Sequence, residues 1–492
     1  MNNLVVMPLL IPLVTGVLLI FCKNQVNLQR WISGISVIMN TVCAALLVRE
    51  VHENGILTLS MSGWDAPYGI VFVADMFASL LVLTTTIVSS ICLFYAFGSI
   101  GRERETHYFY PFMQFLTVGV IGSFLTGDIF NLFVCFEIML ISSYALIVLG
   151  GTKKQLRESL KYLLINIISS TLFVASVAYL YGVVGTLNMA DLSLRIAETG
   201  QDGILNVVAM LFLIVFSLKA GLFLFYWLPG SYSAPPPVII ALFSGLLTKV
   251  GLYAIIRVFT LIFAHSDFMN SVIAWMAVIS MIAGVIGAVA YSDVYRILIY
   301  NIVYGVGFVA FGLAVSNEQS MNGAVYYLMN DMLVKTLLFL LGGAMIMAAG
   351  TEKLKEMGGL IRRYPLLGWL FFVAAMALVG VPPLSGFIGK LLIVQGGFHA
   401  EMYWLTGISL FSSLLVLYSV IKLFIGAFWG EPADALQRTE PIKLGRLLAP
   451  SAVLVALVVW MGIGAEWIIP YVHEAGNVLL DPQLYIQAVL KE

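Results

Sequence analysis

The sequence predicts an all-α polytopic membrane protein with about fourteen transmembrane helices, and three observations support this fold class. First, 61% of the 492 residues are hydrophobic and only 10% are charged, whereas soluble domains carry about 25% charged residues. Second, apolar runs long enough to cross a bilayer follow one another along the whole chain. Third, short stretches recur at one fixed offset, which is typical of an internal repeat. We therefore predict a single transmembrane domain over 1–492.

The predicted spans, which we number in chain order, are apolar runs of about 20 residues. They lie near 4–22, 31–51, 71–97, 109–126, 128–150, 160–182, 204–228, 236–263, 269–291, 294–315, 321–349, 366–396, 402–429 and 447–469. Prolines interrupt a helix because they lack the backbone N–H. We therefore expect span 7 to break or end at Pro229-Gly230, and span 12 to break between Pro382 and Gly386.

The lysines and arginines of the loops predict the orientation, because they are enriched on the cytoplasmic side. With the N-terminus outside, sixteen of the 25 basic residues fall in inner loops and three in outer loops. The chain is therefore predicted to be a multi-pass protein with both termini outside. Six basic residues remain at membrane depth: Lys219, Lys249, Arg257, Lys335, Lys390 and Lys422. Of these, Arg257 and Lys422 lie near helix ends and are expected to snorkel to the inner interface.

An internal repeat follows from three local matches at an offset of 165 residues. These pair 128–130 with 293–295, 162–164 with 327–329, and 252–259 with 417–424. The offset covers five spans, an odd number, so the second copy must enter the membrane inverted. We expect spans 1–3 in 1–107, a first repeat of spans 4–8 in 108–263, a second of spans 9–13 in 269–429, and span 14 in 447–469. The broken spans 7 and 12 should line the transport path.

Four lysines and one glutamate at membrane depth are the candidate functional residues. A charged side chain near the bilayer centre costs about 3 kcal/mol on insertion scales, so it is rarely present without a role. Lysine also loses its proton when it is desolvated, which makes a buried lysine a candidate proton carrier. Glu137 in span 5 is expected to pair with Lys219 in span 7. Lys249 in span 8 is then the next acceptor. A structural ion pair that tethers two helices is the simpler alternative.

Span 11 carries Tyr327, Asp331 and Lys335 four residues apart, which places them on one helix face. The pattern fits either a self-neutralised pair that makes burial tolerable or a hydrated relay. Lys390 follows the break in span 12, where freed backbone groups can hold water. Asp75, Asp128 and Lys422 are expected to be supporting polar residues. None of the five histidines falls at mid-membrane, so histidine is not predicted as the proton carrier.

The sequence carries no signal for a cofactor or for enzyme catalysis. We find no phosphate loop, dinucleotide fingerprint, haem or iron–sulfur spacing. The four cysteines lack metal-ligand spacing and are expected to pack in the core. No carboxylate cluster resembles a dehydrated sodium site. We therefore expect no cofactor, no metal and no nucleic-acid partner, and a protein driven by an ion gradient or by a partner subunit.

Three stretches resemble a known family. GDIFNLFVCFEIMLISSYALIVLGG, the segment SLKAG with WLPGSYSAPPPVIIALFSGLLTKVGLYAIIR, and GVPPLSGFIGK are similar to the proton-translocating antiporter-like subunits. That family includes the subunits of Mrp-type cation/proton antiporters and of the membrane arm of respiratory complex I. The resemblance covers nearly the whole chain. It implies fourteen helices, a hetero-oligomeric complex in a bacterial or archaeal plasma membrane, and exchange of cytoplasmic Na+ for external H+ in pH homeostasis.

The resemblance also implies which residues carry protons. The family's functional positions fall on Glu137, Lys219, Lys249, Lys335 and Lys390. Complex I relatives often carry histidines before the lysine of span 11, where this chain has tyrosine and aspartate, and this difference favours the Mrp type. Two other functions remain open from the residues: a proton-pumping subunit of a complex I-like oxidoreductase or membrane hydrogenase, and a scaffold subunit that translocates nothing.

Overall fold

Long apolar helices build the computed structural model, which describes residues 3–200, 203–264, 266–431 and 442–491. Within these ranges, ten helices of at least 18 residues are apolar enough to cross a membrane, and four shorter apolar helices accompany them. Each of the fourteen predicted spans overlaps one of these helices. The all-helical membrane fold is therefore confirmed.

The helices of the N-terminal half are α1 Met7–Phe21, α2 Val26–Asn54, α3 Met76–Ser99, α4 Arg102–Glu105, α5 Phe109–Leu125, α6 Ile129–Ile147, α7 Lys153–Val184, α8 Met189–Thr199, α9 Ile204–Ala220, α10 Leu228–Ser231 and α11 Pro237–Arg257. A π-helical turn, Val258–Ile262, continues α11. Short 3-10 turns lie at Asn3–Val5 and Met61–Gly63.

The helices of the C-terminal half are α12 Asp267–Ala290, α13 Val294–Val315, α14 Glu318–Ala349, α15 Leu360–Arg363, α16 Pro365–Val379, α17 Ser385–His399, α18 Tyr403–Phe428, α19 Gly445–Ile463, α20 Ala465–Leu480 and α21 Pro482–Leu490. A 3-10 turn, Leu354–Glu356, precedes α15. The predicted span 14 is divided at Gly464 between α19 and α20. The sequence did not predict α8, α21 or the part of α20 beyond residue 469.

A small antiparallel hairpin precedes α3, in a region where the sequence predicted helix from residue 71. Strand β1 is Leu57–Ser60 and strand β2 is Val71–Ala74, paired with Leu57 opposite Ala74. The helix begins only at Met76, because the Asp75 carboxylate accepts a hydrogen bond from the Ala78 N–H at 2.8 Å and caps it. The predicted start of span 3 was therefore wrong, since a valine-rich run suits a strand.

The two predicted helix breaks are present, but one lies earlier than expected. Helix α9 already ends at Ala220, where Gly221 adopts a left-handed φ of 73°, the usual geometry for ending a helix. Pro229 instead lies in the first turn of α10, where proline is favoured. In span 12, α16 ends at Val379 and α17 begins at Ser385, which confirms the predicted break.

Two pairs of corresponding helices, α6 with α13 and α7 with α14, begin 165 residues apart. Helices α7 and α14 are both 32 residues long, and they begin at Lys153 and Glu318, 165 residues apart. The same hydrogen bonds also hold the ends of corresponding helices. The Ile129 N–H donates to the Leu187 carbonyl at 3.0 Å, and the Val294 N–H donates to the Glu352 carbonyl at 3.0 Å. Each donor and acceptor of the second bond follows its counterpart by 165 residues.

Candidate functional site

Four lysines lie in the interior of the bundle. Lys219 is 5% exposed, Lys249 0%, Lys335 1% and Lys390 8%. Their ammonium groups therefore face protein rather than lipid, and each must find its partners inside the bundle. They belong to four helices, α9, α11, α14 and α17.

The first group joins α6, α7 and α9 through one serine. The Ser170 hydroxyl donates to Glu137 Oε1 at 2.5 Å, and Lys219 Nζ donates to the Ser170 oxygen at 3.4 Å. The two residues that the sequence pairs, Glu137 and Lys219, are thus joined through Ser170, which stands between the two charges. Lys219 Nζ also lies 5.2 Å from the centre of the Phe136 ring. Glu137 itself is half-buried.

The second group joins the two halves of the chain at one carboxylate. Lys249 Nζ on α11 lies 2.9 Å from Asp331 Oδ2, and Lys335 Nζ on α14 lies 3.5 Å from Asp331 Oδ1. The predicted pair of Asp331 and Lys335 is present, and the sequence did not predict its second lysine. Both ammonium groups also donate to backbone carbonyls at 2.8 Å, those of Ser244 and Asn301. The group thus holds one buried carboxylate between two lysines.

The third group surrounds Lys390 on α17. Its ammonium donates to the Val379 carbonyl and to the Ser413 hydroxyl, both at 2.8 Å. Val379 is the last residue of α16, so the break leaves its carbonyl free for this contact, as expected. The aromatic rings of Tyr304 and Tyr327 have their centres 5.2 and 6.0 Å from the ammonium. Tyr327, one turn before Asp331 on α14, therefore lies near Lys390.

Two of the predicted supporting residues act as helix caps. Asp128 accepts a hydrogen bond from the Asn131 N–H at 2.7 Å and caps α6. Asp75 caps α3 and also forms an ion pair of 2.5 Å with Arg257. Arg257 is only 2% exposed, so the prediction that it snorkels to an interface was wrong. It stays inside because Asp75 neutralises it and the Tyr253 hydroxyl accepts from its Nε at 3.2 Å.

The third supporting residue, Lys422, also binds a helix end. Its ammonium donates to the carbonyls of Val289 and Tyr291, at 2.9 and 2.7 Å, where α12 ends. A cation is favourable there, because the last carbonyls of a helix carry partial negative charge. Neither it nor the two aspartates contacts the four buried lysines within the described residues.

The described ranges contain no group of three or more His, Cys, Asp or Glu residues that could hold a metal ion. The four cysteines are free. His265 and Arg438, two residues considered in the sequence, lie outside those ranges. The site therefore offers ammonium, carboxylate, hydroxyl and backbone groups, and this set can hold protons and pass them along hydrogen bonds.

Sequence reasoning missed Ser170 and Ser413, although the repeat contained a signal for the first. On α7, Tyr162, Asn166 and Ser170 are spaced four apart. They precede Tyr327, Asp331 and Lys335 of α14 by 165 residues each. The stripe that carries charge in the second half is therefore neutral and polar in the first. Applying the offset to that face would have indicated Ser170.

Comparisons with known proteins agree with this geometry. The family described as NADH:quinone oxidoreductase/Mrp antiporter, transmembrane, matches residues 126–416, more than half of the chain. The D-type subunit of a Na(+)/H(+) antiporter of Bacillus subtilis (strain 168) is 53% identical over 494 aligned positions, covering 100% of both chains. Among solved structures, a chain of the Mrp complex from Dietzia sp. DQ12-45-1b has a TM-score of 0.92 at 28% identity, covering 100% of both chains.

A chain of respiratory complex I from Thermus thermophilus has a TM-score of 0.83 at 23% identity, covering 97% of this chain and 100% of that one. This likeness concerns the fold alone. The full-length identity is to a component of an antiporter, and the expected resemblance is confirmed. This chain belongs to the NADH:quinone oxidoreductase/Mrp antiporter family and, within it, to the D-type subunits of multisubunit Mrp-type Na+/H+ antiporters.

Proposed function

We propose that this chain carries protons inward while its complex moves cytoplasmic Na+ outward. The observation that carries the proposal is the set of three polar groups described above. They lie on helices of both halves and contain four buried lysines. The relatives by name exchange Na+ for H+. Four buried ammonium groups would cost on the order of 10 kcal/mol to insert without partners. A role in transport explains why the chain retains them.

The proposed route begins at Glu137 and passes Ser170 to Lys219. It continues through Lys249, Asp331 and Lys335 to Lys390, with Tyr327 beside the last step. The step from α9 to α11 is supported by close packing: a Cβ on Gly251 would lie 2.5 Å from the Ala220 nitrogen. Gly251 is two residues from Lys249, and Ala220 is one residue from Lys219.

Charge coupling links the steps of the route, and each step can run in either direction. A carboxylate nearby stabilises an ammonium, and a low dielectric destabilises it. A proton that reaches Glu137 neutralises the carboxylate and removes part of what holds the proton on Lys219. Lys219 then releases its proton toward Lys249, once Lys249 beside Asp331 has passed its own proton to a neutral Lys335. Transfer between Lys335 and Lys390 follows the same rule, because Asp331 serves both lysines of its group. For inward transport the steps run from Lys390 to Glu137.

We infer that the chain crosses the membrane fourteen times as two inverted five-helix repeats, 108–263 and 269–429, with both termini outside. The equal lengths of α7 and α14 and the paired hydrogen bonds at an offset of 165 residues support the repeat. The basic residues of the loops support the orientation. The plasma membrane of a prokaryote and the other subunits of the complex are the proposed surroundings.

The test is cation-dependent proton flux in inverted membrane vesicles of an antiporter-deficient host that expresses the whole gene cluster. We expect Na+ to collapse the pH gradient with the native chain. Glu137→Ala and Lys219→Ala should lower the flux at least about tenfold, as loss of a positioned acid or base does in proton transfer. Assembly is checked by co-purification of the complex.

Normal exchange by assembled Lys219→Ala complexes would overturn the route and leave a scaffold role. An absence of flux with every cation, even for the native cluster, would instead favour a redox-driven proton pump. No observation of the site itself favours that second function, since the likeness to complex I concerns the fold alone.

A further inference from the structure

A second polar stripe on α14 is not part of the route above. Glu318, Asn322, Tyr326 and Asn330 are spaced four apart, so they share one face of the helix. Asn322, Tyr326 and Asn330 are each at most 2% exposed, whereas Glu318 lies on the surface. The stripe therefore runs from one end of α14 to the depth of Asp331. Buried polar groups of this kind need partners.

The buried end of the stripe reaches the helix that carries Lys390. Ser385, the first residue of α17, donates its hydroxyl hydrogen to Asn330 Oδ1 at 2.6 Å. One turn earlier, the Tyr326 hydroxyl donates to the Met461 carbonyl of α19 at 2.5 Å. The stripe thus faces the break in span 12 and the C-terminal helices, which lie outside both proposed repeats.

The surface end of the stripe meets a histidine from α20. The Asn322 side-chain amide donates to His473 Nδ1 at 2.9 Å, and Glu318 Oε1 lies 3.6 Å from the same nitrogen. The His473 side chain is 49% exposed, so one face of its ring meets water. His473 and Glu318 together therefore form the end of the stripe that meets the exterior.

The packing around Asn322 leaves its side-chain oxygen able to accept a hydrogen bond. Its Oδ1 is buried and has no hydrogen-bond partner among the described residues. The atom lies against the backbone of α20 at Gly476, where an added Cβ would approach it to 1.9 Å. A larger residue at that position would displace the Asn322 side chain. The chain thus brings a buried acceptor next to a titratable ring.

We infer that His473 is the proton-loading group of a surface mouth, formed with Glu318 and Asn322, that connects the exterior to Lys390 along α14. This inference rests on the proposed function, which supplies the end point of the route. It adds a helix outside the repeats to the transport machinery. On the proposed topology the mouth lies on the outer side, from which protons enter.

Few other charges surround His473. From α14 it faces Glu318, and on its own helix Glu474 is its neighbour and is paired with His52 of α2. The segments Met76–Ser99 and Val258–Ile262, which pack against α20, contain no charged residue. The nearby C-terminal helices contribute Arg446 from α19 and the neutral Tyr485 from α21. Glu318 is therefore the acidic group within ion-pair distance of the ring.

The geometry around His473 accommodates both the neutral and the protonated ring. In the neutral ring Nδ1 accepts from the Asn322 amide. When Nδ1 takes a proton from the exterior it needs an acceptor, and Glu318 Oε1 or the Asn322 oxygen, after the amide turns over, can serve. The proton then leaves Nδ1 for water bound at the unpartnered Asn322 oxygen and passes along the stripe to the neutral amine of Lys390, so that the ring returns to its neutral state.

The experiment measures Na+-dependent proton flux in inverted vesicles, whose lumen faces the outer side, at several lumenal pH values. Near neutral pH an imidazole holds many more protons than a carboxyl group. Without the ring, Glu318 is the remaining titratable group. We therefore expect His473→Gln to slow exchange about tenfold. The rate of exchange should also no longer depend on lumenal pH around neutrality. Asn322→Leu should have the same effect.

His52→Gln is the matched control. His52 is similarly exposed (45%) and pairs with Glu474 of α20 at 2.9 Å, yet it has no contact with the stripe among the described residues. It should keep the native pH profile. If His473→Gln keeps the native pH profile while the Lys219→Ala complex is inactive, the proposed role of His473 is overturned and the proposed route is not. Native behaviour of both variants would overturn the proposed route as well.

Discussion

The two halves of this protein hold their buried charges in different ways. In the first half, the half-buried Glu137 reaches Lys219 only through the Ser170 hydroxyl. In the second half, Asp331 is 1% exposed and touches two lysines directly. One half therefore contains a loosely joined acid and base, and the other contains a closed ion cluster.

The proposed repeat allows corresponding positions of the two halves to be compared. At the position of Glu137 the second half has Ile302, and at the position of Asp331 the first half has Asn166. The two acids thus stand on different helices of the proposed five-helix repeat. We infer that the half-buried site suits exchange with water, whereas the closed cluster suits transfer between the halves, because its lysines come from both.

The largest effect is expected for Asp331→Asn. The change leaves two buried ammonium groups without a counter-charge, and breaking a buried ion pair in this way costs about 3–5 kcal/mol. We expect little assembled complex and a clear loss of thermal stability in detergent. Glu137→Gln should cost only about 1 kcal/mol, because Lys219 keeps its hydrogen bond to Ser170. The measurement is the yield and unfolding temperature of both purified complexes.

A matched double variant sharpens this prediction. Replacing Lys249 by Met in the Asp331→Asn background removes one of the two unpaired charges, so part of the lost stability should return. Equal stability of the Asp331→Asn and native complexes would contradict the closed-cluster interpretation.

An intermediate effect is expected for Ser170→Ala. The bridge between Glu137 and Lys219 is lost, and one such hydrogen bond contributes about 1 kcal/mol, which corresponds to about a fivefold slower exchange. Ser176→Ala on the same helix is the control, since the Ser176 hydroxyl bonds only to the Leu172 carbonyl of its own helix. Flux in vesicles with matched amounts of complex measures both. Equal rates for the two variants would mean that Glu137 and Lys219 communicate without the serine.

The smallest effect is expected for Asp128→Ala. Its carboxylate caps α6 and contacts none of the buried lysines among the described residues, so removal should cost about 1 kcal/mol of stability. Exchange per assembled complex should stay native. A loss of exchange as large as that of Glu137→Ala would extend the first half's site to Asp128.

Much of the site could be predicted from the sequence, because the relevant signals are local. Each of the four lysines and Glu137 stands out as a charge inside an apolar run, and Asp331 and Lys335 are neighbours on one helical face. Arg257 shows the limit of such reasoning. Its place near the end of an apolar run suggests snorkelling, but its partner, Asp75, lies far away in the sequence at the start of α3.

By itself, the sequence determined the apolar helices, the charged residues they contain, and the offset that relates the two halves. Only the tertiary structure decided which charges meet: Lys249 with Asp331, Glu137 with Lys219 through Ser170, and His473 with Asn322. The physical reason is that hydrophobic burial has no direction and makes many helices equally able to pack together. Hydrogen bonds and ion pairs, in contrast, require contact within a few ångströms, and that contact depends on how distant helices pack.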